Sequence, residues 1–204
     1  MRVHPSAIVE VGVSVGEGTS VWDNVHIRGP ETAIGRDCVI GEKTYVAYGV
    51  TIGDRVKINA FVYICTRVII EDGVMISAGT TFTNDRYPRA TTPDLSALRS
   101  SEPDDTTLAT TVRAGTTIGA RATIGPGLEI GRFAMIGMGS VVTRSVGEFH
   151  LVAGHPARLI GAVCRCGEPV LRAVEGQLPD TEAATCHCCQ RGYLVLANDV
   201  TEWP

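Results

Sequence analysis

Apolar residues recur at every sixth position along most of this chain. In the central run, eight of the nine such residues are Ile or Val: Ile34, Ile40, Val46, Ile52, Ile58, Ile64, Ile70, Ile76 and Phe82. The same period covers Val3, Val9, Val15, Val21 and Ile27 and, further on, Val112, Ile118, Ile124, Ile130, Ile136 and Val142. A period of six fits neither an α-helix nor an alternating strand. It is typical of a parallel β-helix.

The period predicts an all-β fold in which each hexad is one short strand followed by a corner. Three hexads close one coil of a triangular prism, and the residue at every sixth position points inward. The twenty hexads predict roughly six to seven coils. One additional residue separates Ile27 from Ile34, near Gly29 and Pro30. We interpret it as a bulged corner, which Gly and Pro permit.

The period is absent from residues 84–110, which contain three of the ten prolines and many polar residues. Connections between strands usually have about 4–6 residues, and much longer ones are usually functional or disordered. Because the hexads resume at Val112, we predict a protruding loop at residues 84–110 that leaves the β-helix and then returns to it.

Residues three hexads apart lie on the same face, so the period also predicts which outward side chains are neighbours. One predicted outward column consists of His26, Tyr45, Tyr63 and Thr81. A second consists of Gly29, Tyr48, Thr66 and Asn84. The tyrosines fit a substrate-binding wall and also fit ordinary stacking between coils. For Asn84, at the root of the loop, a functional role is favoured.

Composition adds a few constraints to this picture. The 204 residues suffice for one domain and a small appendage, and the net charge of −4 gives no basic face for nucleic acid. No secretory signal is visible, and no apolar run approaches the ~18 residues of a transmembrane helix. We therefore expect a cytoplasmic protein that binds neither nucleic acid nor membranes. Its seven cysteines are then expected to be free thiols or metal ligands.

Residues 164–204 differ in composition from the rest and contain five of the seven cysteines. We predict a β-helix domain at residues 1–163 and a small Cys-rich, zinc-ribbon-like tail at residues 164–204. The predicted ligands of a structural Zn²⁺ are Cys164, Cys166, Cys186 and Cys189, which leaves Cys188 spare. A metal would help to fold a tail too small for a core of its own. The alternative is a disordered tail with unliganded thiols.

Other motifs accompany the hexads. The repeat is followed by Gly154-His155-Pro156-Ala157-Arg158, and the remaining motifs are His4-Pro5-Ser6-Ala7, Trp22 with Val25-His26-Ile27, Phe82-Thr83-Asn84 and Tyr87-Pro88-Arg89. With the hexads and the loop, the closing sequence resembles that of the left-handed β-helix acyltransferases. The other motifs resemble more narrowly one branch, which N-acetylates the 3-amino group of nucleotide-linked sugars such as UDP-2-acetamido-3-amino-uronic acids. The resemblance covers roughly residues 1–163.

The resemblance implies a left-handed parallel β-helix that assembles as a homotrimer and uses acetyl-CoA as co-substrate. The residues it implies around the acceptor are Asn84 and His26 as catalytic groups and Tyr45, Tyr63, Arg86 and Arg89 as substrate-binding groups. Those it implies around coenzyme A are Gly119, Gly137, Gly139 and Arg158. The glycines would offer corner amides to the pantetheine arm, and the arginine would meet a phosphate. An ion pair between subunits is the alternative for the arginine.

The implied activity is N-acetylation of the amino group of a nucleotide-linked amino sugar. A thioester is already activated and a neutral amine is a competent nucleophile, so positioning and oxyanion stabilisation are the main tasks. The first alternative is O-acetylation of a sugar or other small alcohol, which would need a general base such as His26. The loop at 84–110 contains no His, which favours an amine acceptor. The second alternative is a non-catalytic β-helix scaffold whose zinc-ribbon tail serves for docking.

Two further observations narrow these possibilities. No two histidines are predicted one coil apart on one face, which argues against the three-His zinc site of γ-class carbonic anhydrases. Asp23, Asn24, Tyr48 and Cys65 depart from the pattern expected of the uronate enzymes. The identity of the sugar is therefore left open.

Overall fold

The computed structural model describes residues 1–203, without the side chains of Thr181 and Glu182. Twenty strands of two or three residues form the repeat. They are β1 (Arg2–Val3), β2 (Ile8–Val9), β3 (Ser14–Val15), β4 (Ser20–Val21), β5 (His26–Ile27), β6 (Ala33–Ile34), β7 (Val39–Ile40), β8 (Tyr45–Val46), β9 (Thr51–Ile52), β10 (Lys57–Ile58), β11 (Tyr63–Ile64), β12 (Val68–Ile70), β13 (Met75–Ile76), β14 (Thr81–Phe82), β15 (Thr110–Val112), β16 (Thr117–Ile118), β17 (Thr123–Ile124), β18 (Glu129–Ile130), β19 (Met135–Ile136) and β20 (Val141–Val142). Within the described chain, no helix is long and apolar enough to cross a membrane.

Three parallel sheets, called here faces A, B and C, form the walls of the prism. Face A contains β1, β4, β7, β10, β13, β16 and β19, and face B contains β2, β5, β8, β11, β14, β17 and β20. Face C contains β3, β6, β9, β12, β15 and β18. Each coil passes through faces A, B and C in turn, and a bridge between Ile130 and Val146 closes the seventh coil. The predicted parallel β-helix is confirmed, with seven coils.

The residues at every sixth position stack inside the prism as predicted. Ile40 pairs in register with Ile58, which pairs with Ile76, and all three are completely buried. Burying a side chain of this size stabilises the fold by roughly 1.5–3 kcal/mol. The first coil differs because nothing in the described chain covers its outer end, and Val3 and Val9 remain 37% and 36% exposed.

The irregular corner predicted near Gly29 and Pro30 is also present. From Val21 to its partner Ile40 the coil has one residue more than the usual eighteen, and the peptide bond before Pro30 is cis. The hydroxyl of Thr32 donates to the carbonyl of Arg28 at 2.6 Å across this corner. The extra residue is therefore absorbed locally, and the faces keep their register on both sides.

The long loop leaves the prism after β14 and re-enters it at β15, as predicted. Its two ends meet, because the amide of Leu108 donates to the carbonyl of Asn84 at 2.8 Å. A bridge between Asp85 and Thr107 lies next to this contact. Arg67 on the adjacent coil donates from Nη1 to the carbonyl of Thr107 at 2.6 Å. The root of the loop is thus fixed to the β-helix.

Beyond the seventh coil the chain forms two further pieces of sheet. The strands are β21 (His150–Gly154), β22 (Ala157–Val163), β23 (Pro169–Arg172), β24 (Thr181–Thr185), β25 (Gly192–Leu196) and β26 (Asp199–Trp203). Strand β21 pairs with β19 in parallel, and β22 and β23 add to it antiparallel, so face A becomes a ten-stranded sheet. Strands β24–β26 form a separate antiparallel sheet. Its core includes Phe149 and Ala162, so the tail packs on the end of the β-helix.

Candidate functional site

The first outward column lies on face B with the predicted neighbours. His26 is opposite Tyr45, Tyr45 is opposite Tyr63, and Tyr63 is opposite Thr81. The rings of Tyr45 and Tyr63 stack with centroids 5.3 Å apart and planes 6° apart, and the imidazole of His26 meets Tyr45 edge-on at 5.6 Å. The column therefore presents a continuous aromatic strip, in which Tyr63 is 45% exposed.

A carboxylate that the sequence analysis did not single out contacts this column. Oε1 of Glu10 lies 2.7 Å from Nε2 of His26, and its Oε2 accepts from the amide of Gly29 at 3.1 Å. Nε of Arg28 lies 3.5 Å from the same carboxylate. The hydrogen bond with His26, followed by those other groups, holds the pKa of Glu10 below its usual range. The signal was available, because Glu10 lies one coil before Arg28.

Asn84 ends the second column at the predicted place. The hydroxyl of Thr66 donates to the carbonyl of Tyr48 at 2.7 Å, and Nδ2 of Asn84 lies 3.5 Å from the carbonyl of Thr66. The latter bond is long, so the amide can turn toward another acceptor. Asn84 lines a cavity of about 120 Å³, called here the loop cavity, between this column and the loop.

The loop cavity carries charges of both signs. Arg89 and Arg99 line it together with Asp85 and Asp104. Arg99 was not a predicted site residue, and its Nη2 lies 3.7 Å from Oδ2 of Asp104. Arg86, which was predicted to bind substrate, is exposed and is not among the residues that line this cavity. The structure therefore brings Arg89, but not Arg86, to Asn84.

The two predicted catalytic residues are not neighbours within one chain. His26 belongs to the second coil, and Asn84 follows β14 in the fifth coil. Three steps of about 4.8 Å separate these coils, which places the two residues about 14 Å apart along the prism. A reaction that uses both side chains on the same two atoms does not fit one chain.

The predicted coenzyme glycines lie at the edge between faces A and B. A Cβ on Gly119 would come 2.5 Å from the amide nitrogen of Met138, so this glycine is required where two coils approach closely. Gly139 has a φ of +68° and faces open space. The amides of Gly119, Gly137 and Gly139 donate to the carbonyls of Ile136, Val152 and Ala120, each at 2.8 Å. The expectation that these amides are available to pantetheine is therefore wrong for this conformation.

Arg158 lies away from those glycines. It is exposed on the hairpin of β21 and β22 and lines a cavity of about 240 Å³ with Arg144, His150 and Asn198. This cavity, called here the end cavity, lies beside the corner that follows β20, which is the edge between faces B and C. Asn84 lies on the same edge, two coils below.

The four cysteines predicted as metal ligands are brought together. Their sulfur atoms lie within 4.8 Å of one another, with Sγ–Sγ distances of 3.3 Å from Cys164 to Cys189 and 3.6 Å from Cys166 to Cys186. Cys188 is exposed and outside this group. Cys65 is buried in the β-helix, and burial raises the pKa of its thiol to about 12, so it is not a reactive thiolate at neutral pH.

A further cavity of about 710 Å³ lies on face C and was not predicted. Arg113 bridges two carboxylates there, with Nη1 2.7 Å from Glu71 Oε1 and Nη2 2.9 Å from Glu129 Oε2. Hydrogen bonding from Arg113 holds the pKa of Glu71 below its usual range. Ile69 lines the same cavity and is 41% exposed. These charges already pair with one another, so the cavity is not strongly biased toward either sign.

Two models of transferase repeats match the β-helix. The model described as bacterial transferase hexapeptide (six repeats) matches residues 31–66 and 49–84, and the model described as hexapeptide repeat of succinyl-transferase matches residues 112–144. These ranges lie on either side of the long loop. The chain is therefore a hexapeptide-repeat β-helix protein, and the resemblance to the hexapeptide acyltransferases is confirmed.

Particular relatives narrow the comparison. The chain is 40% identical over 82 residues to dTDP-3-amino-3,6-dideoxy-alpha-D-galactopyranose 3-N-acetyltransferase of Aneurinibacillus thermoaerophilus, an alignment that spans 40% of this chain and 39% of the relative. It is 27% identical over 161 residues to serine acetyltransferase 4 of Arabidopsis thaliana, across 79% of this chain and 29% of the relative. The matched part is thus well under half of each relative's length.

A solved structure shares the fold. A variant of AntD, an N-acyltransferase from Bacillus cereus in complex with dTDP and coenzyme A, superposes with a TM-score of 0.62 at 22% identity. The superposition covers 78% of this chain and 91% of the AntD chain. At this identity the likeness concerns the fold.

Proposed function

We propose that this protein is an acetyl-CoA-dependent N-acetyltransferase that acts on the amino group of a nucleotide-linked amino sugar. The observation that carries the proposal is the combination of Asn84 at the root of the loop with the 40% identity to a dTDP-amino-sugar N-acetyltransferase. The narrower resemblance of the Phe82-Thr83-Asn84 and Tyr87-Pro88-Arg89 motifs supports the same substrate class.

The chemistry requires little beyond positioning. The neutral amine attacks the thioester carbonyl, the carbon–sulfur bond breaks, and coenzyme A leaves as a thiolate that takes up the proton released by nitrogen. Asn84 is placed to orient the amine, because its amide is held only by a 3.5 Å contact and faces the loop cavity. Asp85 and Asp104 beside it favour an acceptor that arrives as an ammonium ion.

The nucleotide part of the substrate is assigned to the surface around that cavity. Arg89 and Arg99 carry the fixed positive charge that a diphosphate needs. Tyr63, on the coil before Asn84, is exposed enough to contact a base or sugar ring. Arg86 remains a proposed outer contact, because it is exposed at the start of the loop.

A complete site requires a second copy of the chain. The glycine edge between faces A and B and the Asn84 edge between faces B and C lie on opposite sides of face B in one chain. A cyclic homotrimer brings one edge of each copy against another edge of its neighbour, so that coenzyme A on one chain meets the acceptor on the next. Gly139, which faces open space, and the 82% exposed Met138 would then border the coenzyme groove.

A structural Zn²⁺ in the tail forms part of the proposal. Four sulfurs around a tetrahedral Zn²⁺ lie about 3.8 Å apart, because each Zn–S bond is about 2.3 Å. The Sγ distances of 3.3 Å and 3.6 Å within the cluster of Cys164, Cys166, Cys186 and Cys189 fit that requirement. Free cysteines of this kind are also compatible with a reducing compartment, so we propose a cytoplasmic location.

O-acetylation of an alcohol is the second candidate, and one observation favours it. Glu10 bonded to His26 is the arrangement in which a carboxylate orients an imidazole for general base catalysis. Against it, Nε2 of His26 is directed at the carboxylate, and the residue lies about 14 Å from Asn84 along the prism. The N-acetyltransferase proposal therefore takes precedence.

The test is release of free coenzyme A thiol from acetyl-CoA in the presence of UDP- and dTDP-linked 3-amino and 4-amino sugars. The same nucleotides carrying hydroxyl sugars serve as matched controls. We expect turnover with one amino sugar and none with its hydroxyl counterpart. Turnover only with hydroxyl sugars would establish the O-acetyltransferase alternative. If calorimetry detects no binding of acetyl-CoA, the transferase proposal is wrong and a scaffold role follows.

A further inference from the structure

The Cys cluster is joined directly to the hairpin at the end of the β-helix. Cys164 follows β22 without a gap, and the preceding residue, Val163, donates its amide to the carbonyl of Phe149 at 2.8 Å. Cys186 is completely buried in the core that also contains Phe149. A metal ion held by the four thiolates would therefore tie β22 to the turn that carries Cys186 and Cys189.

A row of aromatic rings continues from the cluster to the last coils. The hydroxyl of Tyr193 donates to Sγ of Cys164 at 3.0 Å, and its ring meets Phe149 edge-on with centroids 5.3 Å apart. Phe149 stacks on Phe133 at 5.5 Å, and the guanidinium of Arg165 lies 4.4 Å from the Phe133 ring centroid. The position of the tail is thus coupled by contact to two successive corners of the β-helix.

The tail also supplies one wall of the end cavity. Nε2 of His150 lies 2.8 Å from the carbonyl oxygen of Asn198, in the turn between β25 and β26, and therefore donates to it. Asn198 accepts from the amide of Leu178 through Oδ1 at 2.7 Å, which fixes the turn. Across the cavity lie Arg144 and Arg158. Two guanidinium groups in one cavity suit an anion such as a phosphate group.

We propose that Zn²⁺ bound by Cys164, Cys166, Cys186 and Cys189 clamps the tail onto the last coil and thereby keeps the end cavity formed for a phosphate group of coenzyme A. The physical reason is size: the tail, residues 164–204, is close to the roughly 40-residue limit below which a chain needs a metal or disulfides to fold. The assignment of coenzyme A rests on the proposed function, whereas the clamp rests on the contacts alone.

The clamp is tested on the full-length protein by metal analysis and hydrogen exchange. We expect about one equivalent of zinc per chain. Removal of zinc by a chelator should speed exchange of residues 150–163 and 183–203 by about ten-fold or more, leave β7–β13 unchanged, and be reversed by zinc chloride. Cys166→Ser should behave like the chelated protein. Cys188→Ser, at the exposed cysteine outside the cluster, should keep its zinc and its protection. Absence of zinc, or equal exchange with and without it, would refute the clamp.

Binding of coenzyme A separates the two parts of the proposal. Calorimetry should give at least about ten-fold weaker binding for the zinc-free protein and for Arg158→Ala than for the holoprotein. Equal affinity with and without zinc would refute the link between clamp and cavity. If the holoprotein itself does not bind coenzyme A, the proposed function and the assigned ligand fail, while the exchange experiment still decides whether the clamp exists.

Discussion

The imidazole of His26 is held by Glu10, with 2.7 Å between Nε2 and Oε1. The carboxylate belongs to the first coil and the imidazole to the second, so the contact ties the open end of the prism to the next coil. The amide of Gly29 completes the arrangement at the one corner with an additional residue. Glu10 therefore links the aromatic strip on face B with the irregular corner beside it.

This contact predicts a pH dependence of stability. Because folding lowers the pKa of Glu10, its stabilising effect is present above the ordinary value of 4.5 and is lost as the pH falls through the folded-state pKa. We expect Glu10→Gln to lower the Tm near neutral pH and to leave a smaller loss of Tm on acidification. Thermal melts between about pH 7 and pH 3 measure this difference. The exposed Glu17, changed to Gln, is the control, and an identical acid response in both variants would contradict the prediction.

The role of His26 is decided by activity rather than stability. A general base contributes about 10²–10⁴-fold to the rate, so an O-acetyltransferase would lose that much on His26→Gln. We expect the loss in N-acetylation to be less than about ten-fold, because an amine needs no such base. The thiol-release assay measures both variants at saturating acetyl-CoA. A loss of several orders of magnitude with an amino sugar would make His26 a catalytic base.

Asn84 is expected to matter most to turnover. Loss of one aligned amide at the reacting centre costs about 10²-fold or more in kcat, so Asn84→Ala should show a loss of that size. The KM for acetyl-CoA should change little, because the coenzyme edge lies on the other side of face B. Leu98→Ala, at an 81% exposed position in the same loop, should retain full activity and serves as the control. Wild-type turnover in Asn84→Ala would exclude a catalytic role.

The open end of the prism predicts an uneven sensitivity to cavities. Ile58 is completely buried between coils, so Ile58→Ala should lower the free energy of unfolding by about 2–5 kcal/mol. Val9 holds the equivalent sixth position in the first coil but is 36% exposed, and Val9→Ala should cost less than about 1 kcal/mol. Urea unfolding of both variants measures the difference. Equal losses would mean that the first coil is covered in solution, as it would be in a larger assembly.

The proposed assembly has a mass that can be checked. One chain is 21.6 kDa, so three chains give about 65 kDa by light scattering after size exclusion. A trimer with sites between chains also predicts recovery of activity by subunit mixing, because a protein with Asn84→Ala and a protein with a blocked coenzyme edge each retain one intact half-site. A monomeric protein with full activity would refute the shared site.

The register of the coils could be predicted from the sequence because a six-residue period fixes which residues face inward and which coils are in contact. That rule placed Tyr45 beside Tyr63 and Asn84 at the root of the loop, as the structure has them. It did not indicate Glu10, because a corner residue reaches its partner through side-chain length and not through register. Arg99 was missed for a similar reason, since the period does not extend into the loop.

Other features depend on where backbone hydrogen bonds are directed. Glycines after inward residues suggested open amides, yet the amides of Gly119 and Gly137 complete the bonds between coils. The pattern of sequence does not distinguish a glycine that admits a ligand from one that admits the next coil. The pairing of Cys164 with Cys189 and of Cys166 with Cys186 similarly required the fold of β24–β26, although the set of four could be chosen from spacing.

The contact between the Leu108 amide and the Asn84 carbonyl makes the long loop an exchangeable insert. The chain leaves and re-enters the prism at one corner, so coils above and below keep their register whatever lies between the two ends. Lengthening such a segment is inexpensive, since each doubling of loop length costs only about 0.6 kcal/mol in closure entropy. Selection can therefore replace the residues that face the acceptor while the coenzyme-binding coils stay unchanged, so new substrates evolve by substitution within a single segment.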